Sequence, residues 1–540
     1  GTLTALFIIF LFFMLIASIA GSKDEIEVYP NSVLELDLTT PIKDYAPKDD
    51  NPFAEIFDLE DPILGLNTII NAIENAKTDN NIKGISIKTS FISAGLAQTQ
   101  AIRKKLKEFK ESGKFVYAYN DIYSQKSYYL SSVADSLFLS PVGIVDFRGL
   151  SAEILYYKDF EDKYGIKMEV VRHGKYKSAV EPYLSNKMSE ANREQTSSFL
   201  KSLWTEMIND ISKSRNISSE KLNIIADNSD GRNATVAQNS NLIDASIYAD
   251  EYKEKLKNAT EVSKPKTISI TDYIKSGKGR IYNSSKNKIA VIYAQGTILY
   301  GEGNENIIGQ GLTNKAIRKA VKDKNVKAIV LRVNSPGGDA LTSELIWREI
   351  ELAKKEKPVV VSMSNVAASG GYYISANANK IFAEPTTITG SIGVFGTIPN
   401  ISKLSENIGI NAEQVSTNNS ANYSLFEPMS QKFYDVTKEG VERVYTTFLN
   451  RVAKGRNLTI EEVDNIAQGR VWTAKQAVKN GLIDELGSLD DAVKSAAELA
   501  EVDNYRVRNY PNYNKDLKDA FNISPFGKVN KEEILKDALG

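Results

Sequence analysis

Asn365-Val366-Ala367-Ala368-Ser369-Gly370-Gly371-Tyr372-Tyr373-Ile374-Ser375 is the stretch on which the fold is decided. Before it, Pro358 opens the run Val359-Val360-Val361-Ser362-Met363, β-branched and apolar as a short buried strand should be. After it, Tyr372 to Ala378 suits the start of a helix. Ser369 therefore stands where a strand turns into a helix, with two glycines behind it. Glycine at such a turn lets the backbone approach a substrate closely and leaves amide N–H groups uncovered. A serine there can attack a carbonyl carbon while neighbouring N–H groups hold the oxyanion. A small-residue turn packed under a helix would read the same way, so the choice rests on the rest of the chain.

The chain has 540 residues, too many for one ordinary core, which predicts at least two domains. Hydrophobic residues make up 42% and charged residues 25%, the proportions of folded globular material. A net charge of −1 gives no reason to expect a nucleic-acid partner. There is no cysteine, which removes cysteine nucleophiles, disulfides and thiolate metal sites together. The single histidine, His173, rules out a two-histidine zinc motif within one chain. A Ser-His-Asp triad would have to use His173.

Leu3 to Ala20 is apolar and uncharged, long enough to cross about 30 Å of hydrocarbon as a helix. A cleaved signal peptide is the competing reading, since Ser18-Ile19-Ala20 has small residues at both key positions; the length of the run favours an anchor over residues 1–22. No Met or basic flank precedes Gly1, so the sequence reads as clipped and that flank does not set the topology. Val33 to Thr40 alternates like a first strand, and Asp44 to Pro52 reads as an exposed connection. From there strands and helices alternate: strand Ile82 to Lys88, helix Leu96 to Glu111, strand Phe115 to Tyr119, helix Tyr128 to Ala134. This is the signature of an α/β fold with a largely parallel sheet. Residues 258–287 read as a linker around one short strand, Thr267 to Thr271. Ser276-Gly277-Lys278-Gly279 within it is too short for a phosphate loop.

Beyond Lys288 the pattern repeats. Ile82-Lys83-Gly84-Ile85 matches Val326-Lys327-Ala328-Ile329, and Tyr128-Tyr129-Leu130-Ser131 matches Tyr372-Tyr373-Ile374-Ser375, both 244 residues on (326 − 82, 372 − 128). Pro141 and Gly165-Ile166 find Pro385 and Gly409-Ile410 at the same shift. The chain is thus expected to hold two copies of one α/β unit, residues 23–257 and 288–502, with a tail over 503–540. The tail lacks clear periodicity apart from a possible helix near Lys531 to Leu539.

The copies differ in chemistry. Ser369, Gly370 and Gly371 stand opposite Gln125, Lys126 and Ser127, and Asn334-Ser335-Pro336-Gly337-Gly338-Asp339 stands opposite Ser90-Phe91-Ile92-Ser93-Ala94-Gly95. Only the first copy carries Gly174-Lys175-Tyr176-Lys177-Ser178-Ala179-Val180-Glu181-Pro182. One half offers an alcohol and the other an amine. A serine needs a base to take its proton; with histidine nearly absent, a desolvated lysine is the natural one. Lys177, followed by a small and apolar run, suits that task better than Lys175, and His173 remains a third candidate.

At this point the residues resemble the signal peptide peptidase A (protease IV) family in its long, duplicated bacterial form. The resemblance runs from the apolar anchor to about Glu501. It rests on Ile92 to Gln98, Tyr176 to Pro182, Asn334 to Gly338, Ala367 to Tyr372, Gly390-Ser391-Ile392-Gly393 and Gly469-Arg470-Val471-Trp472-Thr473. It implies units like those of caseinolytic protease and crotonase, and a membrane-tethered Ser-Lys peptidase acting on signal peptides after their release. Ser369 would be the nucleophile, Lys177 its base, the Gly338 and Gly370 N–H groups the oxyanion donors, and Ser391 a holder of the lysine amine. A homotetramer at the bacterial inner membrane, single-pass with its catalytic part periplasmic, and no cofactor or metal, are further implications. The rivals are a crotonase-type acyl-CoA enzyme and a non-catalytic membrane-attached scaffold.

Overall fold

The computed structural model describes residues 26–47, 63–418 and 423–511. The apolar run Leu3 to Ala20 and the segment Lys531 to Leu539 lie outside the described residues. No helix among the described residues is long and apolar enough to cross a membrane.

The first unit is built on six strands: β1 (Ser32–Leu36), β2 (Ile82–Ile87), β3 (Phe115–Tyr123), β4 (Ser136–Val145), β6 (Ala245–Ser246) and β7 (Thr267–Ser269), with β5 (Lys167–His173) standing apart. Their order across the sheet is β6-β4-β3-β2-β1-β7, all parallel. The second unit repeats the plan with β8 (Lys288–Gln295), β9 (Val326–Ser335), β10 (Val359–Ala368), β11 (Lys380–Ala383), β12 (Ile388–Gly390), β14 (Val471–Thr473), β15 (Glu485–Leu486) and β16 (Arg506–Tyr510). Its main path is β14-β12-β10-β9-β8-β16, with β11 joining β10 to β15. The central strands correspond, β1, β2 and β3 to β8, β9 and β10, while the single β4 stands where the second unit has β11 and β12. Helix α1 (Leu96–Lys110) follows β2 as α3 (Ala340–Ala353) follows β9; α2 (Gln125–Ser131) follows β3 as α4 (Gly370–Tyr373) follows β10.

Parallel strands must be covered on both faces, and each sheet here is. Ile85, Ile87, Val116 and Leu137 belong to one cluster of the first unit, while Val33, Tyr119 and Phe138 face another. In the second unit Ile292, Leu331 and Val361 fill one side, and Val291, Val330 and Val360 the other.

Three segments differ from what the sequence leads one to expect. The strand before Ser369 runs on to Ala368, and the helix after it is a single turn ending at Tyr373. The short strand expected from Thr267 is present as β7 and pairs with β1, whereas residues of the supposed tail form an unexpected edge strand, β16, beside β8. Short edge strands carrying charge, as Arg506 and Arg508 do here, have no buried alternation to announce them. Asp44 is buried rather than exposed, 2% accessible at its side chain, bonded through Oδ1 to Arg332 Nη2 at 2.8 Å and Nε at 2.9 Å across the two units.

The units depart from one another in one place that matters. β5 pairs antiparallel with β13 (Val394–Asn400) along seven residues, from Lys167 opposite Asn400 to His173 opposite Val394. At the 244-residue shift neither strand has a strand as its counterpart. This ribbon ties the units and carries the chain after His173 into the second one.

Candidate active site

Past β5 the chain turns at Gly174, whose φ of +113° suits glycine. A Cβ there would lie 2.6 Å from the Gln468 carbonyl, so a side chain would push the loop off its seat. The Tyr176 N–H donates to the same carbonyl at 2.7 Å. Gly469, next along, presses on Lys177: a Cβ on it would sit 2.6 Å from Lys177 N and Cβ. The loop is thus threaded into the second unit, and Lys177 is left 4% exposed.

Ser369 lies at the end of β10 with φ +52° and ψ −120°, a conformation costly for a residue with a side chain. Its N–H is held by the Gly390 carbonyl at 2.9 Å. Ser391, also at φ +52°, is fixed by its N–H bond to the Arg470 carbonyl at 2.7 Å. Lys177 Nζ reaches both serines: 3.2 Å to Ser369 Oγ, 3.0 Å to Ser391 Oγ and 3.1 Å to the Ser391 carbonyl. With Cε these neighbours complete the shell of a tetrahedral nitrogen. A neutral amine donates twice to Ser391 and keeps its lone pair for the Ser369 hydroxyl proton.

Burial brings the Lys177 amine down to about 8 from an ordinary 10.5. No carboxylate pairs with it among the described residues. The Phe395 ring of β13 lies 5.7 Å from Nζ and helps to keep the seam dry.

Gly337 and Gly338 follow β9 with φ +101° and +149°. The Ile298 N–H donates to the Gly337 carbonyl at 2.9 Å, and Asp339 N–H to the Ile298 carbonyl at 2.8 Å, which fixes the loop. A Cβ on Gly337 would fall 2.7 Å from Gly370 N, and one on Gly370 3.3 Å from Gly338 N. The two amides therefore converge beside Ser369, without a backbone acceptor for either among the described residues. Such a pair can receive an oxyanion.

His173 and Lys175 are not part of this cluster. His173 Nδ1 pairs with Glu442 at 2.7 Å and its ring stacks on Tyr445 at 3.8 Å. Its acid partner, Glu442, stands on the helix Gln431–Arg456, and neither residue bonds to Lys177 or Ser369. Lys175 is exposed and lies over the Tyr176 ring. No group of three or more His, Asp or Glu side chains suited to a metal occurs among the described residues.

Arg470 contributes to the site in a way that its place in Gly469-Arg470-Val471 does not signal. Its guanidinium is layered between the Tyr176 ring (4.8 Å) and the Trp472 ring (4.3 Å), and Nη1 pairs with Glu194 at 2.9 Å. It clasps the lysine loop to the segment that fixes Ser391. Gly469 and Gly393 belong to the same seat; a Cβ on Gly393 would lie 3.3 Å from Lys177 Cδ. Two glycines spaced like ordinary turns gave no sign of that close approach.

The model of peptidase family S49 matches residues 108–263 and again 351–503, once in each unit. Protease 4 of Haemophilus influenzae is 39% identical over 487 residues, covering 87% of this chain and 79% of its own. Protease 4 of Salmonella typhi is 41% identical over 455 residues, covering 82% and 73%. Among solved structures, a mutant of ClpP1 from Listeria monocytogenes aligns over 38% of this chain and 94% of its own, at 15% identity and a TM-score of 0.26. The chain belongs to peptidase family S49 and is a serine peptidase of that family.

Proposed function

We propose that Ser369 is the nucleophile and Lys177 its general base in a membrane-anchored endopeptidase that degrades released signal peptides and other apolar peptides. The observation that carries this is the 3.2 Å contact between Lys177 Nζ and Ser369 Oγ in a dry seam between units. At neutral pH, deprotonating an amine with a pKa of about 8 costs about 1 kcal/mol, against more than 4 for an ordinary lysine.

Neutral Lys177 takes the Ser369 Oγ proton as the oxygen attacks the scissile carbonyl carbon. The oxyanion is received by the Gly338 and Gly370 N–H groups, each worth roughly 3–4 kcal/mol to the barrier. The lysinium gives its proton to the departing amine, and the C–N bond breaks. Lys177 then takes a proton from water as its oxygen attacks the acyl-serine carbonyl; the bond to Ser369 Oγ breaks, the lysinium returns its proton to Oγ, and the acid is released. Ser391 holds the amine through both steps by accepting its two other N–H groups.

An anchor over Leu3 to Ala20 would set the site beside a bacterial inner membrane, with the catalytic part periplasmic and apolar peptides at hand. Exposed Leu155, Phe160, Ile408 and Ile410 give the surface apolar ground for the homotetramer that the resemblance implies. The test is hydrolysis of an apolar peptide ester by the parent protein, Ser369→Ala and Lys177→Ala. Both variants are expected to lose activity to background. Retention of parent-level turnover in either would remove that residue from its role.

A further inference from the structure

We propose that the first unit's counterpart of the serine site is an anchoring pocket for the C-terminal carboxylate of a bound peptide, gathered by Lys126, Lys43 and the N-terminus of α1. The 244-residue shift places Ala94-Gly95 opposite Gly338-Asp339 and Lys126 opposite Gly370. The loops that build the serine site in one unit therefore line a cleft of about 640 Å³ in the other. Its remaining wall comes from the second unit, with the side chains of Gln295, Asn306, Asn334 and Asn365.

The charges in this cleft are not balanced. Lys126 Nζ donates to the Ala94 carbonyl at 2.5 Å, which leaves two N–H groups without a protein acceptor among the described residues. Lys43 Nζ donates to Asn306 Oδ1 at 2.5 Å. Neither lysine pairs with a carboxylate among the described residues, and Glu305 is the one acid on the walls. Burial lowers the Lys126 pKa with no opposing charge to offset it, so a bound anion would supply what the site lacks. The fifteen-residue helix α1 begins here, with Gly95 as its N-cap, and its N-terminus adds a partial positive charge.

A peptide terminus fits better than a small free anion because the cleft is roomy, lined by amides and bordered by Asn334 and Asn365, which stand on the two strands that lead to Gly338 and Ser369. Asn365 and Ser369 lie four residues apart at the end of β10, which is about 13 Å of extended chain. On the other side, Gln295-Gly296 leads into Ile298, whose N–H bonds the Gly337 carbonyl at 2.9 Å. A short extended peptide would span from the serine to the lysines. The proposal takes its ligand class from the peptidase reading above, but does not depend on which residue is the nucleophile.

The experiment uses the full chain with Ser369→Ala, so that binding is read without turnover. Fluorescein-labelled Ala-Leu-Ala-Leu-Ala is titrated by polarisation at pH 7, once as the free acid and once as the C-terminal amide. The free acid is expected to bind about 5-fold more tightly, the scale of a half-buried ion pair. That ratio is expected to fall to near one in Lys126→Met and to shrink in Lys43→Gln, each checked for unchanged melting. Equal binding of acid and amide, no binding of either, or a ratio untouched in both lysine variants would overturn the proposal. Loss of esterase activity in Ser369→Ala tests the catalytic assignment separately.

Discussion

Replacing Lys177 with Met should abolish hydrolysis and at the same time stabilise the fold. The side chain is 4% exposed, and its amine titrates at about 8 instead of 10.5. Below pH 8 the lysine is charged both folded and unfolded, and the native state carries the whole desolvation penalty. Between about 8 and 10.5 the folded amine has lost its proton while the unfolded one keeps it, so stability rises with pH across that window. A gap of this size corresponds to about 3 kcal/mol. Methionine of similar length removes the penalty and forfeits hydrogen bonds to Ser369 and Ser391, each worth about 1 kcal/mol net. The net gain at pH 7 is then roughly 1–2 kcal/mol, or a few degrees in the melting of a unit this size. The assay is thermal unfolding of parent and variant at pH 7 and pH 9.5. The variant should melt higher at pH 7, and its advantage should shrink at pH 9.5. A lower melting point at pH 7, or a gap indifferent to pH, would refute a lysine held at a cost in that seam.

Three other substitutions probe separate parts of the account. Gly338→Ala puts a Cβ 2.0 Å from the Ile298 carbonyl oxygen at a φ of +149°; kcat for an ester substrate should fall by about 10²–10³, with less change in KM. Asp44→Asn removes the carboxylate hydrogen-bonded to the buried Arg332 guanidinium between the units; the urea midpoint should drop by the equivalent of about 3–5 kcal/mol. His173→Gln breaks a contact with Glu442 that lies outside the cluster at Ser369; kcat/KM should stay at the parent level, and its collapse would reinstate the histidine as base.

Much of this was legible before any coordinates. Val359 to Met363 followed by Ser369-Gly370-Gly371 announced the turn, because β-branched runs and paired glycines each have one dominant local use. The constant 244-residue shift announced the second unit. The shortage of histidine pointed to lysine by elimination. What stayed hidden depends on partners distant in sequence. Asp44 looked like surface because a carboxylate beside prolines usually is; Arg332, 288 residues away, with Asn334 and Ser364, makes its burial tolerable. β16 was missed because an edge strand bonded on one side needs no apolar alternation. The seat of Lys177 on Gly469 and the Arg470 clasp are close approaches between units, and no local pattern encodes them. Within the one chain of this structure, β5 pairs with β13 and Lys177 Nζ lies 3.2 Å from Ser369 Oγ.

The central claim is that an uncharged Lys177 activates Ser369, and the pH dependence of kcat/KM for a neutral peptide ester measures it most directly. The account predicts a rise of about tenfold per pH unit up to a bend near 8 and a plateau beyond it. A rate flat from pH 6 to 9, or one still climbing past 10 as an ordinary lysine would require, would contradict it.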